Sequence, residues 1–167
     1  MYKTSVNAFI SKVAKLSLIA LATVVLVPTV VVADTASEVK AVIMQGNADS
    51  RKNLSGGSDG YSEHGSLEFW SSGGLMQYVA ADSPASTWEH FALTPKHIKV
   101  ITLVEGKAAV AMYYSEGSFQ ETGQKPVSHY MTRVTDVYVK ENGKWKTRAA
   151  HYSPIAAGQG TQQTAVD

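Results

Sequence analysis

Arg133 and His151 are the two side chains of this chain whose types, and whose places in neighbouring alternating runs, suit catalysis. A histidine gives and takes protons near neutral pH, and an arginine fork holds a carboxylate or a developing oxyanion. Partly covered and beside a fixed positive charge, an imidazole is disfavoured as its cation. His151 would then stand as a neutral acceptor, a general base, with Arg133 holding the negative end of a substrate. His129, Tyr113, Trp145 and Ser153 are the further candidates, as ligand-binding positions in the same interior. His129 shares the alternation of Arg133, with Met131 between them, and Trp145 also reads as core. The competing reading of Arg133 and His151 is structural: two polar groups that satisfy backbone and neighbours at the mouth of the fold.

Other motifs carry less chemistry. Residues 56–60, GGSDG, match the nucleophile elbow G-x-S-x-G letter for letter. That motif needs a strand before it and a helix after it, and neither pattern flanks Ser58, so an ordinary loop serine is expected. His64, His90, His97, His129 and His151 form no H-E-x-x-H and no close ligand pair, so no metal is expected. No cofactor is expected either.

The elements that must position these residues follow from patterning. Thr35 and Glu38 have capping-box spacing before Val39, Val42 and Ile43, which predicts a helix over about 36–51. Residues 53–66, NLSGGSDGYSEHGS, have loop composition, and SLEFW and LMQYV around SSGG form a candidate hairpin. A second capping box, Ser86 with Glu89, predicts a helical turn at STWEHF that Pro95 closes. Four strand-like runs follow: HIKVITLV, AAVAMYYSEGSF, PVSHYMTRVTDVYVK and KWKTRAAHYS, with a glycine in each connection. The expected fold is α+β, an antiparallel meander with helices on one side.

The last hairpin allows a register to be argued. A two-residue turn at Asn142-Gly143 would mix apolar and polar partners. A three-residue loop, Glu141 to Gly143 with Gly143 as the bulge residue, pairs Val139 with Trp145, Val137 with Thr147, Arg133 with His151 and Asp136 with Arg148. In this register Arg133 and His151 share the covered face. The strip Tyr130, Thr132, Val134, Asp136, Tyr138, Lys146, Arg148 and Tyr152 then forms an outer face, expected to hold a homodimer together.

Arg133, Thr135 and Val137, then Gly143-Lys144-Trp145, then His151 and Ser153 resemble the C-terminal signature of SnoaL-like domains of the nuclear transport factor 2 superfamily, to which ketosteroid isomerase and scytalone dehydratase also belong. The resemblance is clearest over 127–154. It implies a curved sheet wrapped around N-terminal helices into a cone, with a pocket at one end and often a dimer through the outer face. It implies no single reaction. The isomerase set of a tyrosine and two carboxyl groups does not fall on matching positions.

Composition sets the address and the partners. Lys3, Lys12 and Lys15 precede an apolar run over 16–32, and Val31 and Ala33 precede Asp34. This is the order of a secretory signal peptide. The run contains Ser17, Thr23, Pro28 and Thr29 and is shorter than the ~20 apolar residues of a spanning helix. The expected organisation is a signal peptide over 1–33, one domain over 34–155 and a disordered tail over 156–167, in a bacterial periplasm or exterior. Without its leader the chain would carry twelve basic and fourteen acidic side chains, which demotes nucleic acid as a partner. It has no cysteine, which excludes thiol chemistry and disulfides. Two functions stay open: a binding domain for a small apolar molecule with a polar or anionic end, free of the membrane after cleavage, or a cofactor-free isomerase, dehydratase or cyclase-type enzyme using His151 and Arg133.

Overall fold

The computed structural model describes residues 34–56 and 59–155. The expected signal peptide, the tail from 156 and Gly57-Ser58 of the G-x-S-x-G match lie outside the described residues. Within them the order is one helix, α1 (Thr35–Asn53), then seven strands: β1 (Ser66–Phe69), β2 (Gln77–Val79), β3 (Trp88–Phe91), β4 (Thr94–Val104), β5 (Ala108–Glu121), β6 (Val127–Glu141) and β7 (Lys144–Pro154).

The helix starts one residue early. Asp34, in extended backbone, accepts a bond from the Ser37 amide at 2.7 Å and is the cap. Thr35 is instead the first helical residue and is buried. Its hydroxyl donates to Glu105 at 2.7 Å and accepts from the Gly106 amide at 2.7 Å, which ties the helix start to the β4–β5 turn. Glu38 does not fold back as a capping-box partner. It accepts from Lys140 Nζ at 2.6 Å and Trp145 Nε1 at 2.8 Å, and those two donors hold its carboxyl below the usual range. Val39 and Ile43, one helical turn apart, bury against Ala109, Ala111, Tyr138 and Trp145. Each full burial of this kind stabilises by roughly 1.5–3 kcal/mol.

The sheet runs β2-β1-β7-β6-β5, and β5 carries β4 and β3 in succession along its far edge. The meander β4-β5-β6-β7 and the β1–β2 hairpin match the expected strands, but the sheet is mixed, because β1 pairs with β7 in parallel. Those two strands are far apart in sequence, so no tight turn forces them antiparallel. Where β5 changes partner from β4 to β3 it bends at Gly117. Its φ is 140°, and a Cβ there would stand 2.2 Å from the Ala92 carbonyl oxygen, so only glycine fits.

The expected helical turn at STWEHF is strand β3. The Trp88 and Phe91 rings pack with centroids 4.5 Å apart, and the Glu89 carboxylate takes bonds from Gln120 Nε2 and the Gly123 amide, so it serves the sheet and not a helix end. Pro95 sits inside β4 rather than closing a helix.

The β6–β7 register corrects both sequence alternatives. The turn has two residues, Asn142 (φ 50°) and Gly143 (φ 78°), and pairs Lys140 with Trp145 and Tyr138 with Thr147. The pairing then shifts by one between Val137 and Tyr138, leaving Arg148 as an extra residue, so that Asp136 faces Ala150, Thr135 faces His151 and Arg133 faces Ser153. The bulge restores the alternation that the plain two-residue turn would have broken. It also inverts the assignment of faces. Thr132, Val134, Asp136 and Tyr138 are buried on the inner face, with Trp145. Met131 and Arg133 are exposed on the outer one, with His151. The strip expected to join two copies therefore lies largely inside the fold.

Candidate functional site

The residues expected to act together divide between the two faces. Arg133 Nη2 reaches Ser153 Oγ at 3.2 Å on the exposed outer face. His151 shares that face but not a bond with Arg133, and its ring packs against Phe69 with centroids 5.5 Å apart. His129 is exposed on β6, the strand of Arg133. Trp145 is core, with its indole N–H held by Glu38. Only Tyr113 of the six lies where polar chemistry is buried.

That chemistry is centred on Asp136. One row of pairing crosses four strands: Ala111 of β5, Asp136 of β6, Ala150 of β7 and Glu68 of β1. Paired residues share a face, so both carboxyl groups stand on the inner side with a single methyl group, that of Ala150, between them. Two inter-strand spacings put their Cα atoms about 10 Å apart. Asp136 is 3% exposed and Glu68 2%.

Tyrosines surround the pair. Tyr113 donates to Asp136 Oδ2 at 2.8 Å, and Tyr138, two residues along β6, donates to the same oxygen at 3.3 Å. Tyr152 of β7 and Tyr61, bridged to Thr147, are close enough that both carboxylates push their hydroxyls up, behind the larger effect of burial. The other oxygen of Asp136, Oδ1, is buried without a partner, while Ser66 Oγ, two residues before Glu68 on the same face of β1, is buried beside the Glu68 carboxyl. Burial pushes Asp136 up to about 7, against the pull of the two phenol bonds and with Glu68 adding to the rise. Burial raises Glu68 as well, against the pull of the Ser66 hydroxyl. Among the described residues no lysine, arginine or histidine pairs with either carboxyl.

A strap holds this side of the fold in place. Residues 60–62 run along β7, with Thr147 N–H donating to the Gly60 carbonyl at 2.8 Å and Ser62 N–H donating to the Thr147 carbonyl at 3.0 Å. Ser62 Oγ and the Glu63 amide both donate to Glu141, and Asp59 is gripped by Lys144 and Lys146. The strap positions Tyr61 beside the carboxyls. An open concavity of about 190 Å³ lies elsewhere, between the start of α1 and β4, lined by Asp34, Ser37, Lys40, Ile98 and Lys99 among others. It is smaller than the roughly 300–1,000 Å³ of ordinary ligand pockets.

Sequence reasoning missed Asp136 by pairing it with Arg148 on a solvent face. The available signal was a single acid at the centre of a long strand-like run, VTDVYV, where a charge is out of place unless it is used. Glu68 in SLEF carried the same signal more weakly.

No protein-family model matches the chain, and no curated protein gives a significant match. Solved structures do. A nuclear transport factor 2-like superfamily protein from Salmonella enterica is 17% identical, covering 76% of this chain and 99% of its own, with a TM-score of 0.51. A nuclear transport factor 2-like protein of unknown function from Pseudomonas putida is 13% identical over 79% and 94%, with a TM-score of 0.49. The association domain of CaMKII from C. elegans is 14% identical over 70% and 94%, with a TM-score of 0.43. At 17% identity the likeness to the Salmonella structure speaks for the fold and not for a reaction or partner. The helix laid on an open, mixed, seven-stranded sheet and the likeness to the Salmonella structure agree: the chain has a nuclear transport factor 2-like fold.

Proposed function

We propose that this chain is an exported binding domain that holds a small molecule on its inner sheet face, at Asp136, Glu68 and the tyrosines around them. One observation carries the reading: Asp136 Oδ1 is buried with no partner. Buried polar atoms are nearly always bonded, and leaving one bare costs about 1–3 kcal/mol, so this oxygen is a place a ligand's polar group would satisfy. Export is supported by the leader's order and by Asp34, which caps α1 immediately after Ala33. Protein recovered from an exporting bacterial host should have the mass of residues 34–167. A full-length mass would remove the export reading.

The binding reading is tested with tyrosine-labelled protein and a fragment panel followed by NMR. Hits should shift Tyr113, Tyr138 and Tyr152 and leave Tyr114 and Tyr78, both exposed, in place. A panel that moves only the exposed tyrosines would overturn it.

Catalysis is the second reading, favoured by Asp136 titrating at about 7 beside two phenols. An acid poised there exchanges protons readily, so in a cofactor-free isomerase, dehydratase or cyclase-type enzyme Asp136 would be the proton carrier, in place of His151.

The homodimer remains proposed, with its surface moved. Ile101, Met112, Tyr114, Met131, Leu67 and Phe69 are all more than a third exposed, most of them on the outer face, and contiguous exposed apolar area of this kind marks interfaces. Light scattering at tens of micromolar should give twice the chain mass, and Met112→Lys should halve it.

A further inference from the structure

The inner-face site is unbalanced in charge. Asp136 and Glu68 are buried, and neither has a cationic partner among the described residues. Buried carboxylates are ordinarily paired. The two phenol protons nearest to them, those of Tyr113 and Tyr138, are both spent on Asp136 Oδ2. What is left over consists of acceptors: Asp136 Oδ1, which is buried without a partner, and the Glu68 carboxyl, whose one nearby donor is the Ser66 hydroxyl. The walls are aromatic, with Tyr61, Tyr113, Tyr138 and Tyr152 on the same side. Between the carboxyls stands only Ala150, 4% exposed.

Acceptors in excess, no fixed cation and aromatic faces are complementary to one ligand chemistry. We infer that the inner face binds an organic cation, an ammonium group seated over Ala150 between Asp136 and Glu68, donating to Asp136 Oδ1 and facing the tyrosine rings. The inference rests on the proposed binding function of this face and names its ligand class. An ammonium head answers each feature: it pairs the buried charges, supplies N–H donors to bare acceptors and is attracted to aromatic faces by cation–π interaction. A ligand with an anionic end, which Arg133 alone would have favoured, meets two carboxyls here. A divalent metal ion is a poorer fit, since magnesium and calcium take six or more oxygen ligands and no group of three metal-ligating side chains exists among the described residues. The group that enters must be small, because both carboxyls are nearly fully covered.

A proton answers part of the same imbalance, since Asp136 titrates at about 7. Proton and ammonium therefore compete for one carboxylate. Affinity for a cation should rise by up to about tenfold per pH unit below 7 and level off above it. A neutral ligand should show no such slope.

The experiment compares tert-butylammonium chloride with tert-butyl alcohol, nearly equal in shape, on the purified protein between pH 5 and 8, followed by tyrosine NMR and calorimetry. The ammonium should bind at least tenfold tighter than the alcohol at pH 8, shift Tyr113 and Tyr138, release a proton near pH 7 and show the slope. Asp136→Asn should weaken it at least tenfold at pH 8 and abolish the slope. Ala150→Val adds bulk between the two carboxyls without changing charge and should weaken binding while the slope survives. The inference is overturned if the alcohol binds as tightly as the ammonium, if the slope is absent, or if Ala150→Val binds unchanged. Should the alcohol or other neutral fragments shift the inner tyrosines while the ammonium does not, the cation is lost and the binding function stands. If neither the two probes nor the fragment panel moves these tyrosines, both fall together.

Discussion

On the inner face of the sheet Thr132, Val134, Asp136 and Tyr138 are at most 7% exposed, while on the outer face Met112, Tyr114 and Met131 are between 41% and 50% exposed. The buried face thus holds the two carboxyls Asp136 and Glu68, and much of the apolar surface faces outward. Ordinary burial statistics run the other way. The difference teaches that a face is assigned by what covers it and not by its polarity. Helix α1 lies over β4 and β5, with Val39 and Ile43 against Ala109, Ala111, Tyr138 and Trp145, and the Tyr61 strap lies along β7. These two coverings decide which side is inner. The residues beneath them include a carboxyl that is held near neutrality by its surroundings.

The largest test of that contrast is Asp136→Asn. The folded group titrates at about 7 against 3.8 for the free side chain. Its native state therefore binds the proton more tightly, and the stability tied to that proton is fully present below about pH 4 and lost as pH rises through 7. At pH 8 the buried charge costs up to about 4 kcal/mol, at 1.36 kcal/mol per pKa unit. The isosteric amide carries no charge, so Asp136→Asn should stabilise the domain by up to this amount at pH 8 and by much less at pH 5. Urea melts at both pH values measure it, and a variant that is equally or less stable at pH 8 would refute the buried-charge account.

A second test sets one tyrosine of each face side by side. Tyr113→Phe removes the 2.8 Å bond to Asp136. A bond to a charged acceptor contributes about 1.5–3 kcal/mol. The loss should be largest above pH 7, where Asp136 is ionised, and should move the Asp136 titration further up. Tyr114→Phe, on the exposed side, should change stability by less than about 0.5 kcal/mol. Equal effects from the two substitutions would erase the distinction between the faces.

How far the sequence could lead is clear from the same strands. The runs at 97–104, 108–119, 126–140 and 144–153 each match a strand, because alternation and glycine turns are local signals. The register of β6 on β7 was not local. It turns on one extra residue, Arg148, within a run whose spelling gives no sign of it. A slip of one residue exchanges every side chain between faces, so the two-residue turn and that bulge together exchanged the proposed site with the proposed interface. Trp88-Glu89-His90-Phe91 fits a capped turn as well as a strand, and its pairing with β5 decided the matter. Tyr113 was the one candidate site residue placed in the interior by a guess about its turn. Glu68, the second buried carboxyl, joins the site through a parallel β1–β7 contact that no spacing in the sequence announces.

The smallest expected effect falls on the residue whose type first suggested catalysis. His151 is exposed, faces Thr135 across the ladder, and packs its ring against Phe69, itself 45% exposed. Arg133 bonds to Ser153 and not to His151, so removing the imidazole strands no partner. Surface substitutions of this kind usually stay within about 0.5 kcal/mol. His151→Ala should therefore leave the urea midpoint nearly unchanged and leave the inner-face tyrosine shifts caused by a ligand intact. Self-association can respond, because the ring belongs to the outer face. The decisive measurement pairs the two readouts on one sample: ligand titration by tyrosine NMR and solution mass by light scattering. A loss of inner-face binding in His151→Ala, with the mass unchanged, would return the active role to the outer face and leave Asp136 as a structural oddity. A changed mass with binding retained would fix the division of labour argued here, with ligand chemistry inside the sheet and self-association outside it.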